Sequence, residues 1–272
     1  MNKFVFIAVN YNSFNFTKEY IHSINKITID KNDKVEIIIV DNQSELDDFE
    51  SLKAYCKTID NVRIVRSNRN LGYFKGLNQG IIDVNKDNHT MLIIGNNDLT
   101  FDKEFIQNLK KIDYGNDVLV IAPNIITKEG RQQNPHVIDR VPTIEKIKAR
   151  VYFTNYYVGQ AFRFINQSLR RLINKPVVLK NTYGQMKIKR GIGACYVLTP
   201  NFFNHFDKLD DRVFMWGEEA LLSNQVESVN GYTLYDPTIK ITHHESASVS
   251  SIQSKQKYYM VKESYKIYRK YL

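Results

Sequence analysis

The chain contains few of the residues on which disulfide-rich, zinc-binding or fibrous proteins depend. Its 272 residues include 2 cysteines, 6 prolines and 12 glycines. Cys56 and Cys195 lie far apart and form no CxxC pair, so a disulfide framework or a structural zinc site has little support. The low glycine and proline content argues against a fibrous or linker-rich chain. This cysteine usage fits a reducing cytoplasm.

Long apolar runs are also missing. No stretch reaches the about 18 apolar residues of a membrane span. The apolar segment near the N-terminus ends at Asn10, which is too short for a signal-peptide core followed by a cleavage site. We therefore expect neither an export signal nor a transmembrane helix. The expected location is the cytoplasm, and peripheral contact with the inner face of the cell membrane stays open.

Acidic residues are fewer than basic residues. The chain has 38 Lys and Arg against 29 Asp and Glu, a net charge of +9. This excess favours anionic partners such as nucleotide diphosphates, anionic lipid headgroups or nucleic acid. The length allows one large α/β domain with a substantial core.

Short apolar runs alternate with helix-period segments through the first half, a pattern typical of parallel βαβ units. The predicted strands span 4–9, 35–40, 62–65, 91–94 and 118–122, and the predicted helices span 17–27, 47–57, 73–84 and 103–112. We expect the first helix to start at Thr17, with Glu19 in its opening turn. Together these segments predict a nucleotide-binding half over residues 1–125.

The second half has a different pattern. Residues 143–175 mix apolar, aromatic and basic side chains and are predicted to form a helical insertion. A strand pair or meander around 187–198, a helix over 216–229, strands at 232–235 and 239–242 and a helical tail follow. We expect residues 126–250 to form an acceptor-binding and catalytic half, residues 251–272 a C-terminal helical tail, and the whole chain one continuous domain.

Polar residues follow three of the predicted strands. The ends read Asn10-Tyr11-Asn12, Asp41-Asn42-Gln43-Ser44 and Asn96-Asn97-Asp98. Ligands of open parallel sheets bind outside the carboxyl ends of the strands, so these residues predict one binding crevice. The alternative is that Asn, Asp and Ser serve only as turn and helix-capping residues.

Several motifs, in order and spacing, resemble those of the family 2 glycosyltransferases and especially of their rhamnosyltransferase-like branch. They are Val9-Asn10-Tyr11-Asn12, Ile39-Val40-Asp41-Asn42-Gln43-Ser44, Asn70-Leu71-Gly72-Tyr73 with Asn78, Asn96-Asn97-Asp98, Gly191-Ile192-Gly193-Ala194, Phe214-Met215-Trp216-Gly217-Glu218-Glu219 and His243-His244-Glu245-Ser246-Ala247-Ser248. The resemblance covers nearly the whole chain. It implies a GT-A fold, with a mostly parallel central sheet and flanking helices. It also implies an inverting glycosyltransferase that moves a sugar from a UDP- or dTDP-sugar to a glycan or lipid-linked saccharide in surface-polysaccharide biosynthesis.

The resemblance also implies where the donor nucleotide binds. Asp41 matches the acid that contacts the base or ribose, Asn10 and Tyr11 would line the base pocket, and the segment from Asn70 to Asn78 would close over it. The implied donor-binding residues are Val9, Asn10, Tyr11, Asp41, Asn70, Gly72, Asn78, Asn96 and Asn97. For Gly72, an ordinary turn before a helix is an equal alternative.

A divalent metal is implied by the turn at Asn96-Asn97-Asp98, which resembles the family's Asp-x-Asp-type motif. Mg²⁺ or Mn²⁺ would stabilise the negative charge that builds on the diphosphate leaving group. Only Asp98 is charged in this turn. By the match to the family's late His-x-x-x-x-Ser segment, His243 would complete the site, with Ser246 and Ser248 near the phosphates.

The expected catalytic base lies in the acidic pair. Direct displacement at the anomeric carbon needs a carboxylate that takes the acceptor's hydroxyl proton. The match to the family's acidic pair points to Glu219, with Glu218 as the second candidate. The simpler interpretation is that both acids stabilise a helix N-terminus.

Other protein classes fit the sequence less well. A sugar-nucleotide nucleotidyltransferase would need a glycine-rich phosphate loop after the first strand, where this chain has Asn10-Tyr11-Asn12-Ser13. A nucleic-acid-binding protein has no motif to support it, and the basic residues are spread over several segments. A non-catalytic relative that only binds nucleotide sugar stays open because the acidic motifs depart from the usual pattern.

Overall fold

One mixed nine-stranded sheet organises the computed structural model, which describes residues 1–172, 183–245 and 254–272. The strands are β1 Lys3–Asn10, β2 Lys34–Asp41, β3 Val62–Arg66, β4 Thr90–Asn96, β5 Leu99–Phe101, β6 Val118–Thr127, β7 Met186–Ile188, β8 Cys195–Leu198 and β9 Tyr232–His243. The order is β3-β2-β1-β4-β8-β6-β9-β5, and β7 also pairs with β9. All five strands predicted in the first half are confirmed.

Helices flank both faces of this sheet. They are α1 Phe14–Ile24, α2 Leu46–Cys56, α3 Tyr73–Ile82, α4 Phe105–Lys110, α5 Thr143–Tyr152, α6 Tyr156–Leu172, α7 Pro200–Phe203, α8 Glu218–Glu227 and α9 Ser254–Tyr268, with a short 3-10 helix at Arg269–Tyr271. The predicted start of the first helix was wrong. The helix begins at Phe14, and Thr17 lies inside it, buried, with its hydroxyl donating to Asn10 Oδ1 at 2.7 Å.

Strand β1 shows why the core has two layers. Its successive side chains point to opposite faces. Phe6 packs in the cluster that α1, α2 and α4 cover, whereas Ile7 packs in the cluster that α3, α7 and α8 cover. Both residues are fully buried, as expected for a strand inside a sheet covered on both faces.

Parallel pairing in the first half brings the predicted strand ends together. β3, β2, β1 and β4 run parallel, with Asn10 opposite Asp41 and Val9 opposite Asn96. β8 runs antiparallel between β4 and β6. The carboxyl ends of β1, β2 and β4 therefore form one edge, where a crevice opens.

The second half corrects two predictions and confirms a third, the helical insertion. The strands predicted around 187–198 do not pair with each other, because β7 pairs with β9 and β8 lies between β4 and β6. The strands expected at 232–235 and 239–242 are one strand, β9, with an irregularity opposite Pro123 and Asn124. The helical insertion is two helices, α5 and α6, and its predicted end at 173–175 lies outside the described residues.

Helix α9 packs on the loop that precedes α8. The Ser264 hydroxyl donates to the Met215 carbonyl at 2.6 Å, and the rings of Tyr265 and Phe153 stack with centroids 4.4 Å apart. Gly217, with φ of 102°, leaves room for the Tyr268 ring, since a Cβ there would lie 2.1 Å from it. Among the described residues, no helix has the length and apolar character to cross a bilayer.

Candidate active site

A cavity of about 570 Å³ lies at the carboxyl edge of β1 and β4. Its lining includes eight residues predicted from the sequence, namely Val9, Tyr11, Asn70, Gly72, Asn96, Asn97, Asp98 and His243. Five other predicted residues are not part of the lining, namely Asn10, Asp41, Asn78, Glu218 and Glu219. The predicted crevice exists, but its wall is built by only part of the predicted set.

Asn10 is the centre of a buried polar network. It is fully buried, and its amide nitrogen donates to Asp41 at 3.2 Å, Ser44 at 3.0 Å and Asp48 at 2.8 Å. Its amide oxygen accepts the Thr17 hydroxyl. Both amide atoms are thus engaged within the protein. Asn10 thereby joins β1 to β2, α1 and α2 behind the cavity.

Asp41 also lies behind the wall. Its carboxylate is fully buried and forms an ion pair with Arg66 Nε at 3.4 Å. The Arg66 guanidinium carbon lies 3.6 Å from the centroid of the Phe49 ring, so the cation is held between an acid and an aromatic face. In this arrangement Asp41 orients Arg66 and Asn10 rather than lining the cavity.

The loop before α3 is held by Asn42. Its amide donates to Asn70 Oδ1 at 3.0 Å and to the Gly72 carbonyl at 3.1 Å, and its oxygen accepts the Leu71 amide at 2.9 Å. Gly72 has φ of 84°, and a Cβ there would lie 2.1 Å from the Phe214 carbonyl oxygen. This contact joins the loop to the segment that precedes the acidic pair.

Asn78 supports the same region from behind. It is buried, donates to the Leu209 carbonyl and to Asp211, both at 3.0 Å, and accepts the Leu209 amide at 3.0 Å. These bonds tie α3 to the 209–211 loop. Asn78 therefore fixes the position of α3 and does not reach the cavity.

The side chains of the turn between β4 and β5 have two roles: some hold the turn in place, and others contact His243 at the cavity. Asn97 donates to Ser13 Oγ and Thr17 Oγ1, each at 2.7 Å, and so anchors the turn to the start of α1. Asp98 Oδ1 lies 3.3 Å from His243 Nε2. Asn96 Nδ2 lies 3.4 Å from the same nitrogen. β5 pairs with the end of β9, which explains why residues so distant in sequence meet here.

Asp98 and His243 fit part of the coordination shell of a divalent cation, and a bound ligand would complete that shell. Asp98 and His243 are 5% and 9% exposed and both line the cavity. A carboxylate oxygen and an imidazole nitrogen are suitable ligands for Mn²⁺, and a carboxylate suits Mg²⁺. Within the described part of the chain, no group of three or more His, Cys, Asp or Glu residues is placed to hold a metal. Phosphate oxygens of a donor would have to supply the remaining ligands. Ser246 and Ser248 lie outside the described residues.

The acidic pair begins α8 beside the cavity. Glu218 is 4% exposed, and burial, followed by the charge of Glu219, raises its pKa to about 8. Glu219 accepts the Gly193 amide at 3.2 Å, and the Gly193 carbonyl accepts the hydroxyl of Tyr73, a lining residue, at 2.8 Å. One residue, Gly193, thus lies between Glu219 and the lining residue Tyr73, and Glu219 itself is partly exposed.

Several lining residues were missed in the sequence. Tyr73, Phe214 and Met215 lie inside the motifs that resemble those of the family, so the neighbouring motif residues were the sequence signal that could have identified them. Gln256 and Met260 come from α9, and only the packing of that helix brings them to the cavity. No local pattern in the sequence marks such residues, because the contact depends on tertiary structure.

The fold is that of the GT-A glycosyltransferases. A crystal structure of GalNAc-T7 with UDP, GalNAc and Mn²⁺ superposes with a TM-score of 0.58 at 15% identity, over 90% of this chain and 44% of that one. A crystal structure of S. aureus TarS, residues 1–349, gives a TM-score of 0.52 at 14% identity, over 88% of this chain and 61% of that one. This chain therefore spans less than two thirds of either structure.

The sequence profile of glycosyl transferase family 2 matches residues 5–173, which is more than half of the chain. The protein belongs to glycosyl transferase family 2. No curated protein matches its sequence at a significant level.

Proposed function

We propose that the protein is an inverting glycosyltransferase that moves a sugar from a nucleotide-diphosphate donor to a glycan or lipid-linked saccharide acceptor in surface-polysaccharide biosynthesis. The observation that carries this proposal is the pairing of Asp98 with His243 at the edge of a cavity lined by the strand ends of a family 2 fold. That edge is where ligands of open α/β sheets bind.

The proposed donor is a UDP- or dTDP-sugar. Tyr11 is 43% exposed at the cavity and offers an aromatic face to a pyrimidine base. Asp98 and His243 would hold Mn²⁺ or Mg²⁺, which neutralises charge on the leaving diphosphate when bound. The GalNAc-T7 structure contains UDP and Mn²⁺, which supports this donor class. Motifs of the rhamnosyltransferase-like branch make a hexose or deoxyhexose the proposed sugar.

Glu219 is the proposed base. The acceptor hydroxyl oxygen forms a bond to the anomeric carbon while the bond from that carbon to the diphosphate oxygen breaks. The bonding electrons leave with the nucleoside diphosphate, and the hydroxyl proton goes to Glu219. Burial and the charge of Glu219 raise the pKa of Glu218, which disfavours its ionised form and favours Glu219 as the base. With Glu219 acting as a base and not as a nucleophile, this single direct displacement inverts the anomeric configuration.

Cytoplasmic location with peripheral membrane contact is proposed from the surface of α5 and α6. Ile144, Ile147 and Val151 recur on one face of α5 and are 57%, 50% and 40% exposed. Arg150 and Arg163 are exposed in the same helices. An apolar face with basic side chains suits a bilayer that contains anionic lipids, where a lipid-linked acceptor would be found.

Donor binding and turnover are tested together. UDP-, dTDP- and GDP-sugars are screened for thermal stabilisation with and without Mn²⁺, since a ligand that binds the folded state raises its stability. We expect Asp98→Asn to lose the Mn²⁺-dependent part of the shift and donor hydrolysis. Glu219→Gln should keep the shift and lose transfer.

The possible outcomes separate the competing functions. Stabilisation by a donor with no transfer or hydrolysis in the native protein would favour a non-catalytic sugar-nucleotide-binding relative. Formation of a nucleotide sugar from a sugar phosphate would favour a nucleotidyltransferase. A Glu219→Gln enzyme with undiminished turnover would exclude Glu219 as the base.

A further inference from the structure

The two ring nitrogens of His243 face different chemical groups. Nδ1 lies 2.8 Å from Gln133 Oε1. Nε2 lies on the cavity side, 3.3 Å from Asp98 Oδ1 and 3.4 Å from Asn96 Nδ2. A neutral imidazole carries its proton on one nitrogen only. Gln133 Oε1 and Asp98 Oδ1 both accept, but the contact at Nδ1 is the shorter one, 2.8 Å against 3.3 Å, and the Asn96 amide can donate to an unprotonated Nε2. The orientation of Gln133 therefore controls the chemistry of His243.

The Gln133 amide has only one orientation that satisfies its neighbours. Its nitrogen donates to Glu245 Oε1 at 3.0 Å, and a carboxylate can only accept. The amide oxygen must then face His243. Arg131 contacts the same Glu245 oxygen at 2.5 Å and holds the carboxylate in place. The backbone amide of Gln133 donates to the Ile125 carbonyl at 2.9 Å, which fixes the residue beside β6.

We propose that Gln133 is a positioning residue that holds His243 in the Nδ1–H tautomer and leaves the Nε2 lone pair on the cavity side, beside the Asn96 amide, for a divalent cation shared with Asp98. Arg131 and Glu245 act one step further out by fixing the Gln133 amide. The metal part of this inference rests on the proposed function. The tautomer part rests only on the hydrogen-bond geometry around His243. Histidines that ligate metals usually donate their other N–H to an oxygen in this way.

The tautomer is measured directly by nitrogen NMR of the full chain labelled at histidine. The spectra are recorded at about pH 8, above the ordinary imidazole pKa of about 6.5. The chain has 6 histidines, and His243→Gln identifies the signals of His243 by their loss. We expect the proton on Nδ1 in the native protein. Gln133→Met, which keeps the side-chain length but removes both hydrogen-bonding groups, should populate the Nε2–H form.

Two further variants serve as controls. Gln132→Met changes the neighbouring glutamine, whose amide donates to the Tyr235 hydroxyl at 2.9 Å, and should leave the His243 spectrum unchanged. Glu245→Gln retains a side-chain oxygen that can accept from the Gln133 amide and should preserve the native tautomer. This second variant distinguishes loss of the Nδ1 acceptor from a general disturbance of the cluster.

Metal affinity is the second measurement. Mn²⁺ binding is titrated by electron paramagnetic resonance in the presence of UDP, and UDP binding is titrated without metal. Gln133→Met should weaken Mn²⁺ binding by about 10- to 100-fold, the usual effect of losing such a partner, and leave metal-free UDP binding unchanged.

The results distinguish the inference from the function on which its metal part rests. A native His243 with its proton on Nε2, or a tautomer unchanged in Gln133→Met, would overturn the positioning role. If the tautomer responds as expected but the native protein binds no Mn²⁺ with UDP, the positioning role stands and the metal function fails.

Discussion

Gly72 occupies a position that combines a positive φ with a close backbone neighbour. Gly72→Ala should destabilise the protein through both effects, because φ is 84° and the new Cβ would lie 2.1 Å from the Phe214 carbonyl. Gly130 is a matched control, since it has φ of 81° but nothing within 4 Å of its Cβ position. Gly130→Ala should cost about 1–2 kcal/mol from the left-handed backbone alone.

The two variants are compared by urea unfolding and by donor binding. We expect Gly72→Ala to lose more stability than Gly130→Ala and to weaken nucleotide binding, because Phe214 lines the cavity. Equal losses of stability in both variants would show that the Phe214 contact does not constrain the loop.

Glu218 should make the stability of the protein depend on pH. Its folded-state pKa is raised from 4.5 to about 8 by burial and by Glu219. The folded state therefore binds the proton more tightly than the unfolded state, and stability falls as pH rises through this window. Glu218→Gln should remove the decline, which is at most about 1.4 kcal/mol per pH unit.

The measurement is the free energy of unfolding across that pH range. Glu227→Gln, on the exposed end of the same helix and paired with Lys189, is the control and should parallel the native protein. A Glu218→Gln curve parallel to the native one would contradict the raised pKa.

The sequence alone does not separate residues that line the cavity from residues that support it. Asp98 and Asn10 both follow strands and both are short polar residues, yet Asp98 lines the cavity and Asn10 is fully buried in a hydrogen-bond network. The difference depends on partners such as Thr17 and Asp48, which lie on other elements. Spacing along one strand contains no information about them.

Among the elements, the parallel strands of the first half were predictable, whereas for the later strands the approximate positions were predictable and the pairing was not. β1 and β2 are continuous apolar runs because helices cover both of their faces. β7 has only three residues and pairs with β9, so its existence depends on a distant partner rather than on its own pattern. Thr17 and Glu19 predicted a helix start at 17, but α1 begins at Phe14, where the Ser13 carbonyl accepts the Phe16 and Thr17 amides.

Helix α9 should depend on its anchor at Met215. Ser264→Ala removes a buried donor and leaves the Met215 carbonyl without its partner at 2.6 Å, which should cost about 1–3 kcal/mol. Ser228→Ala is the control, because the Ser228 hydroxyl is exposed and donates only to Gln225 within the same turn. That change should stay within about 0.5 kcal/mol.

Urea unfolding measures both serine variants. Hydrogen exchange of the 214–217 loop then locates the effect, and we expect faster exchange in Ser264→Ala only. If the two variants lose the same stability, the hydroxyl does not anchor α9 on the loop.

For the whole molecule, the net charge of +9 and the exposed face of α5 predict binding to anionic bilayers. The protein should co-sediment with vesicles that contain phosphatidylglycerol and much less with vesicles of phosphatidylcholine alone. Added salt should weaken this binding, because the surface charges are screened. Replacing Ile144 and Ile147 with serine should reduce it through lost apolar contact.

Ile82→Ser is the matched control for that surface. Ile82 and Ile144 are both 57% exposed, but Ile82 lies at the end of α3 and not on α5. Its substitution should leave vesicle binding unchanged. If Ile82→Ser reduces vesicle binding as much as the substitutions at Ile144 and Ile147 do, the α5 face is not a docking site for anionic lipid. The same conclusion follows if the protein binds phosphatidylcholine vesicles as well as vesicles that contain phosphatidylglycerol.

The two cysteines provide an internal probe of how the molecule opens. Cys195 is fully buried on β8 in the middle of the sheet, and Cys56 is 7% exposed at the end of α2. Burial raises the pKa of both thiols, that of Cys56 to about 11, so neither reacts readily while the fold is closed. A thiol reagent would reach Cys56 when α2 frays and Cys195 only when the sheet separates. The native chain therefore reports its local and its global unfolding at two different sulfur atoms.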